Sequence, residues 1–291
     1  MFDFHIHTQY SHGTSEVFEM IEHAIKKGLT NIGFVEHFPY DFFGDTELPR
    51  VDGKIVSGTS LERFKLYYQA VERAKDFYRD KIKITLGVEI DYLENREEEL
   101  RQALEISPCN NGREGKEEGS KFEFDFIMGA VHFIGIPPRY FSDYKHRSDD
   151  WFIDKYFMKI KKCIKSGLFD IVAHPELIKY YINKKKEGDY KYRRHLEEVV
   201  DLLARYNMAV DVNTDYIRGS EGHKLIKERV NPGLTMLKMC RDKNIPLVLG
   251  SDAHRPEKIA NNFKETIRMI KGMGINRLYY FKNRKLVSCD I

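Results

Sequence analysis

The 291-residue sequence predicts an α/β protein of the barrel class. Seven short stretches that read as buried strands alternate with amphipathic, helix-like segments, and each stretch starts apolar and ends polar or ionisable. The ionisable ends come from the first stretch and the last alike. In parallel α/β architectures ligands bind beyond the carboxyl ends of the strands, so polar groups repeated there point to one shared pocket. An open sheet would gather them near a single switch point, so a shortened or distorted barrel fits best.

The stretches are 2–7 (FDFHIH), 31–37 (NIGFVEH), 83–91 (KITLGVEID), 124–133 (FDFIMGAVHF), 169–176 (FDIVAHPE), 208–214 (MAVDVNT) and 245–254 (IPLVLGSDAH). Between the first two, Val17, Phe18, Ile21, Ala24 and Ile25 recur at helical spacing, Ser15 can cap the N-terminus and Gly28 can end the helix in a left-handed turn. Further helices are expected near Leu61 to Tyr78, Arg96 to Glu105, Asp150 to Ser166, Arg193 to Tyr206, Gly233 to Lys243 and Lys258 to Met273. Strand, helix, parallel strand is a right-handed crossover, and seven in series either close a barrel or build an open sheet. Leu278 to Phe281 and Lys285 to Ser288 flank Asn283 and Arg284 and suggest a closing hairpin. Three connections are longer than usual: 38–60, 107–121 and 179–192. The second is rich in glycine and charge and reads as a mobile insertion without a catalytic part.

A chain of this length with 42% hydrophobic content can bury a large core, and one domain over 1–291 is expected. A formal net charge of +3 is too mild to indicate a nucleic-acid binder without a localised patch. The lysine and arginine clusters at 159–165, 184–186 and 191–194 read as solvated faces. Cys109, Cys163, Cys240 and Cys289 form no C-x-x-C pair, which suits free thiols in a reducing cytosol. No apolar run approaches the roughly 18 to 20 residues needed to span a bilayer. Residue 2 already belongs to the first strand, which speaks against a cleaved leader, so a cytoplasmic protein is expected.

The chemistry lies in the strand ends. Alternate side chains of a strand share a face, so His5 and His7 project together and make half a metal site. Asp252 and His254 repeat the device on the last strand. Glu89, His132 and His174 add single groups, His37 follows Glu36, and His12 lies just past the first strand. A lone histidine at any of these places is more often structural, but burying so many imidazoles and carboxylates without metal would strand desolvated polar groups. The set therefore reads as a multinuclear metal centre. His23, His146, His195 and His223 lack a strand-end context and are left out of it.

The H-x-H start, the late histidine of the first loop, E-H, G-V-E-I-D, G-A-V-H-F, A-H-P-E, V-N-T-D-Y-I-R and G-S-D-A-H-R-P follow one another in the order and spacing of the PHP superfamily. Within it the chain resembles the monofunctional histidinol-phosphate phosphatases, from residue 2 to about residue 288. The resemblance implies a distorted (βα)7 barrel with two or three divalent metal ions. His5, His7, Glu89 and Asp252 would hold one, Glu89 with His132 and His174 a second, and His12, His37 and His254 a third. Mixed nitrogen and oxygen donors suit zinc, iron or manganese alike.

The implied activity is hydrolysis of L-histidinol phosphate to histidinol and phosphate, in histidine biosynthesis. Two metals about 3.5 to 4 Å apart can bridge a hydroxide and aim it in line at phosphorus. Asp252, Glu89 and His254 are the catalytic candidates, with Asp252 placed to orient that water. Arginine matches phosphate oxygens, so Arg218 in NTDYIR is the first candidate for substrate binding, followed by Arg139, Lys179 and Arg255. Where relatives usually carry a small pair after the threonine, this chain has Asp215 and Tyr216. The expected partner is a small phosphate ester, with no nucleic acid or membrane; oligomerisation is left open. Two other readings compete: a phosphoesterase acting on nucleotides or nucleic-acid ends, and a metal-binding regulatory domain without turnover.

Overall fold

A parallel sheet organises the chain in the computed structural model, which describes residues 1–39, 50–51, 54–55, 59–105, 122–136, 138–144, 146–215 and 230–291. In chain order the strands are β1 (Phe2–Ile6), β2 (Asn31–His37), β3 (Arg50–Val51), β4 (Lys54–Ile55), β5 (Lys83–Asp91), β6 (Phe126–Ala130), β7 (Phe133–Ile134), β8 (Arg139–Tyr140), β9 (Ile171–Val172), β10 (Ala209–Asn213), β11 (Leu247–Gly250), β12 (Arg277–Lys282) and β13 (Lys285–Asp290). β3 pairs with β4 and β7 with β8; the others form one sheet in the order β1, β2, β5, β6, β9, β10, β11, β12, β13. All pairings from β1 to β12 are parallel, and only β13 runs antiparallel.

The sheet closes on itself through residues past β11. Ile6 bridges Ala253 in parallel register, and the His7 N–H donates to the Ala253 carbonyl at 2.9 Å. The result is the expected distorted barrel of seven strands. Its distortion lies at the opposite end, where β11 pairs with β12. The β12–β13 hairpin turns through Asn283 (φ 49°) and Arg284 (φ 60°), the left-handed pair of a type I′ turn. That turn reaches Asp125, whose side chain accepts from the Asn283 N–H and whose carbonyl accepts from the Arg284 N–H, both at 2.8 Å. Tyr280 packs on Phe2 and Phe4 at 5.5 and 5.4 Å between ring centroids, and Phe281 on Phe126 at 6.4 Å. The hairpin thus seals the barrel floor with aromatic rings, each worth about 1.5–3 kcal/mol when buried.

Among the described residues seven α-helices wrap the sheet: α1 (Val17–Lys26), α2 (Leu61–Phe77), α3 (Glu97–Glu105), α4 (Asp149–Lys165), α5 (Tyr190–Tyr206), α6 (Leu234–Asp242) and α7 (Phe263–Gly272). α1 buries Val17, Met20, Ile21 and Ala24 on one stripe. Its N-cap corrects the expectation by one residue: Glu16, not Ser15, holds that position and makes no side-chain cap bond. Its other end is as expected. Gly28 at φ 73° donates to Ile25 O and Leu29 to Ala24 O, satisfying the last carbonyls in a Schellman motif. Ser60 and Ser148 cap α2 and α4 by accepting from Arg63 and Trp151 N–H at 3.2 and 3.3 Å.

Strand ends differ in detail from the sequence reading. The stretch 124–133 breaks after Ala130 and resumes as the β7–β8 hairpin, while β9 and β11 stop before His174 and Asp252, leaving those residues in loops. Of the long connections, 179–192 carries one-turn 3-10 segments (Leu177–Tyr180, Lys184–Gly188) and the start of α5. The insertion expected at 107–121 lies outside the described residues, as does most of 38–60.

Candidate metal centre

Strand register brings the donors to one level. In β2 and β5, His37 lies opposite Glu89; in β10 and β11, Asn213 lies opposite Gly250, two residues before Asp252. β1 carries a register irregularity between Asp3 and Ile6, which breaks simple alternation just below His5 and His7. His174 and Asp252 take positive φ values of 28° and 53°. Such backbone costs a non-glycine residue about 1–3 kcal/mol and persists where surrounding structure enforces it, commonly at functional sites.

Three trios of donor atoms each fall within 4.8 Å of one another: His5, His7 and Glu89; His7, Asp252 and His254; and Glu89, His132 and His174. Nε2 of His5 lies 3.7 Å from Glu89 Oε2 and 3.4 Å from Asp252 Oδ1. The corresponding His7 distances are 3.5 and 3.3 Å. Glu89 turns its other oxygen to His174 Nε2 at 3.1 Å, so it is shared between two trios, as a bridging carboxylate would be. His37 Nδ1 stands 3.2 Å from Glu89 Oε2. His12 meets His254 through their Nε2 atoms, and its ring lies 4.8 Å from that of His37. All nine sequence candidates therefore converge, but the grouping at the rim differs: His7 is drawn toward Asp252 and His254, while His12 and His37 stack beside them.

Behind the donors stand carboxylates that the sequence reading did not single out. Asp211, fully buried, accepts from His5 Nδ1 at 3.0 Å, from the His174 N–H at 3.3 Å and from Asn213 Nδ2 at 3.2 Å. Asp91 accepts from both Nδ1 and the backbone N–H of His132, at 2.9 and 3.0 Å. A carboxylate acceptor fixes the proton on Nδ1 and turns the Nε2 lone pair into the site. Glu36 ties down the loop after His7 through the N–H and hydroxyl of Thr8, both at 2.5 Å, and the hydroxyl of Ser11. Asp3 accepts from the Ser251 N–H and hydroxyl at 2.9 and 2.5 Å and from Ala260 N–H at 2.9 Å, anchoring the segment that carries Asp252.

Charge and geometry both fit divalent cations. His5 Nε2 is buried with no hydrogen-bond partner, although its Nδ1 is satisfied. It faces carboxylate oxygens across a gap too wide for a good hydrogen bond. Two donors on one ion at about 2.0–2.2 Å would themselves stand roughly 3–3.4 Å apart, close to the 3.3–3.7 Å separations here. Burial disfavours charge throughout, yet the carboxylates override it at the floor. His7 is held up at about 9 by Asp252, Glu36 and Glu89, and His132 at about 9 by Asp91. Glu89 and Asp252 are held well below the usual carboxylate range by the facing imidazoles, against their burial. At the rim the balance reverses: burial and neighbouring histidines push His12 down to about 3 and also depress His37 and His254.

Above the donors opens a cavity of about 380 Å³. Its floor is His7, His12, His37, Glu89, His132, His174, Asp252 and His254; its wall is Tyr140, Phe141, Ser142, Leu177, Tyr181 and Asp215. The substrate-binding candidates fare differently from the metal donors. Arg218 lies outside the described residues. Arg139 and Arg255 are exposed and line no part of this cavity. Lys179 is buried away from it, donating through Nζ to the Val230 carbonyl beside Glu176, which binds the Tyr192 hydroxyl at 2.8 Å. The sequence signal that could have found Asp211 is a lone acid between Val210 and Val212 in a buried strand; for Asp91 it is the i+2 spacing from Glu89.

The profile of the PHP domain family matches residues 3–215, more than half of the chain. A probable histidinol-phosphatase of Deinococcus radiodurans is 24% identical over 289 residues, covering 98% of this chain and 97% of the relative. The histidinol-phosphatase of Bacillus subtilis is 27% identical over 274 residues, covering 87% and 93%. Among solved structures, the histidinol phosphate phosphatase of Lactococcus lactis subsp. lactis, complexed with zinc, L-histidinol and phosphate, superposes with a TM-score of 0.74 at 20% identity over 98% of each chain. That likeness shows a shared fold.

Proposed function

This chain belongs to the PHP domain family, and from that premise we propose that it is a metal-dependent phosphomonoesterase that hydrolyses L-histidinol phosphate to L-histidinol and phosphate. The observation that carries the reading is Glu89, a buried carboxylate shared between two donor trios at the floor of a cavity sized for a small ester. Relatives that match almost end to end bear the same activity in their names. Two or three ions of zinc, iron or manganese would be held, by His5, His7, Glu89 and Asp252, by Glu89, His132 and His174, and by His12, His37 and His254. When bound, such ions supply a water nucleophile at neutral pH and Lewis-acid stabilisation of the phosphoryl oxygens.

The protein's own contribution is orientation. Asp211 and Asp91 hold His5 and His132 in the tautomer that offers Nε2 to the site. Asn213 Nδ2 donates to Asp252 Oδ2 at 3.1 Å, which leaves Oδ1 directed at His5 and His7 and in a position to align an attacking water. His12 and His254, neutral at physiological pH, offer lone pairs at the rim without a proton to displace. Arg218 remains the first candidate for the phosphoryl oxygens, on sequence grounds alone. The separated cysteines support a cytoplasmic setting.

Purified, metal-loaded protein incubated with L-histidinol phosphate tests the proposal. Phosphate release should exceed that of a His5→Ala, His7→Ala double variant by orders of magnitude. Release no greater than the double variant's would overturn it, and faster turnover of an aryl phosphodiester would favour a phosphodiesterase instead.

A further inference from the structure

We propose that Glu176 is a positioning residue, which locks the backbone of His174 and so sets the affinity of one ion of the cluster, the one assigned to Glu89, His132 and His174. The inference rests on the metal-dependent reading and adds to it a residue that belongs to none of the three donor trios. Within the trio in question His132 is aimed from behind, because Asp91 accepts from its Nδ1 at 2.9 Å. His174 lacks such a brace: its Nδ1 is buried and has no hydrogen-bond partner among the described residues. The aim of its Nε2 at Glu89, 3.1 Å away, therefore depends on where its backbone is held. That backbone stands at φ 28°, which a non-glycine residue keeps only where its surroundings enforce it.

The enforcement comes from both sides of the residue. The Ala173 N–H donates to the Gly129 carbonyl at 3.0 Å, and the Tyr156 hydroxyl, from α4, donates to the His174 carbonyl at 3.3 Å and accepts from the Leu177 N–H at 3.2 Å. Glu176, buried, then ties the loop to three further places. Its N–H donates to Asn231 Oδ1 at 3.0 Å, and its carboxylate accepts from the Tyr192 hydroxyl of α5 at 2.8 Å and from the Gly233 N–H, at the start of α6, at 2.5 Å. A Cβ on Gly233 would stand 3.3 Å from Glu176 Oε2 and 3.8 Å from Lys179 Nζ, so the buried ammonium of Lys179 lies close enough to offset the charge of that carboxylate. Asn231 belongs to the donor framework, since it exchanges backbone hydrogen bonds with Asn213 at 2.6 and 3.2 Å, and Asn213 binds Asp211 and Asp252. Glu176 thus fastens the His174 loop to the frame that carries the other donors. Without it the His174 backbone can relax and carry Nε2 off Glu89, whereas His5, His7 and Asp252 are held by bonds from β1, β10 and the segment after β11 that do not pass through Glu176.

Zinc titrated into metal-free protein against a chelator of known affinity, with metal content and melting temperature read alongside, tests the assignment. In Glu176→Ala one ion should bind about 10- to 100-fold more weakly, the range for lost support behind a ligand, while the others stay within about twofold of wild type. Glu176→Gln should bind that ion within about threefold of wild type, because its amide oxygen can still accept from the Gly233 N–H. Tyr192→Phe, which keeps the ring and removes one bond to the carboxylate, should weaken the same ion about two- to tenfold and decides the matter if Glu176→Ala does not fold. Turnover of p-nitrophenyl phosphate by folded variants should fall at limiting zinc and recover in excess. Equal weakening of every ion, in step with a lower melting temperature, would overturn the inference and leave Glu176 a purely structural residue. Folded variants with unchanged affinity at every site would overturn it as well. A Glu176→Gln protein as weak as Glu176→Ala would overturn it in favour of a charge effect through Lys179. Wild-type protein that binds no zinc would overturn the metal-dependent reading itself.

Discussion

Replacing Asp211 by asparagine should weaken metal binding about 10- to 100-fold, or roughly 1.4–2.7 kcal/mol, the usual cost of losing a carboxylate partner behind a histidine ligand. The structure explains why one residue should matter so much. A single oxygen, Oδ2, accepts from His5 Nδ1, the His174 N–H and Asn213 Nδ2, and so braces donors of two different trios. An asparagine carbonyl in the same place still accepts all three bonds, so the variant should fold, but the negative charge that makes His5 a better donor is gone. Its amide nitrogen would then occupy the position of Oδ1, which is buried without a partner, adding an unsatisfied donor worth about 1–3 kcal/mol. The flipped amide is worse for binding, since it would drive the His5 proton onto Nε2. Competition with a chelator of known affinity, read by metal content, measures the effect, with near-UV circular dichroism as the check on folding. A folded variant whose metal affinity stays within twofold of wild type would refute the reasoning.

Metal-free protein should be most stable near pH 6.5. His12, His37 and His254 have folded pKa values below the unfolded value, so acid below about pH 6.5 protonates the unfolded chain first and lowers stability, outweighing Asp3, which burial raises to about 6. His5, His7 and His132 lie above it, so their contribution is complete below pH 6.5 and is lost as the pH climbs toward about 9. Metal must displace those protons, so the rise in melting temperature on adding zinc should grow from pH 6.5 to 8; a metal effect that shrinks over that range would contradict this ordering. Gly250→Ala should destabilise the fold by about 1–3 kcal/mol, because a Cβ there would sit 2.5 Å from both Asp211 Oδ1 and His5 Cβ. Gly272→Ala, at the end of α7 with nothing within 4 Å, is the matched control and should be neutral or slightly stabilising in urea denaturation.

The barrel and most of the clustered side chains were legible because they stand at or near the ends of apolar runs. His5, His37, Glu89 and the rest stand where periodicity stops, and a strand boundary is a local property. The bracing carboxylates were harder to see. Asp211 and Asp3 sit inside runs that otherwise read as core, and their partners are 206 and 248 residues away in sequence. Residue type alone does not say that Asp3 holds Ser251. Lys179 was a plausible phosphate ligand by charge and position after A-H-P-E, but tertiary packing gives its ammonium to a backbone carbonyl. Ser15 failed as a cap because the chain enters α1 one residue later, a shift that no preference between serine and glutamate could predict. Asp215 was noticed only as a departure from the pattern of relatives, and its place in the cavity wall came from the course of the chain after β10.

The closing bridge between Ile6 and Ala253, and the rings of Tyr280 against Phe2 and Phe4, join the two ends of the chain. A ribosome makes the first strand, and soon after it β2 on one side, long before the segment that closes the barrel on the other. His5 and His7 therefore emerge early, while the contact that closes the barrel beside them needs about 250 further residues. Contacts of such sequence separation form late and slow the final step of folding. The same connectivity places assembly of the complete donor set after translation, so a nascent chain carries loose imidazoles but no finished cluster.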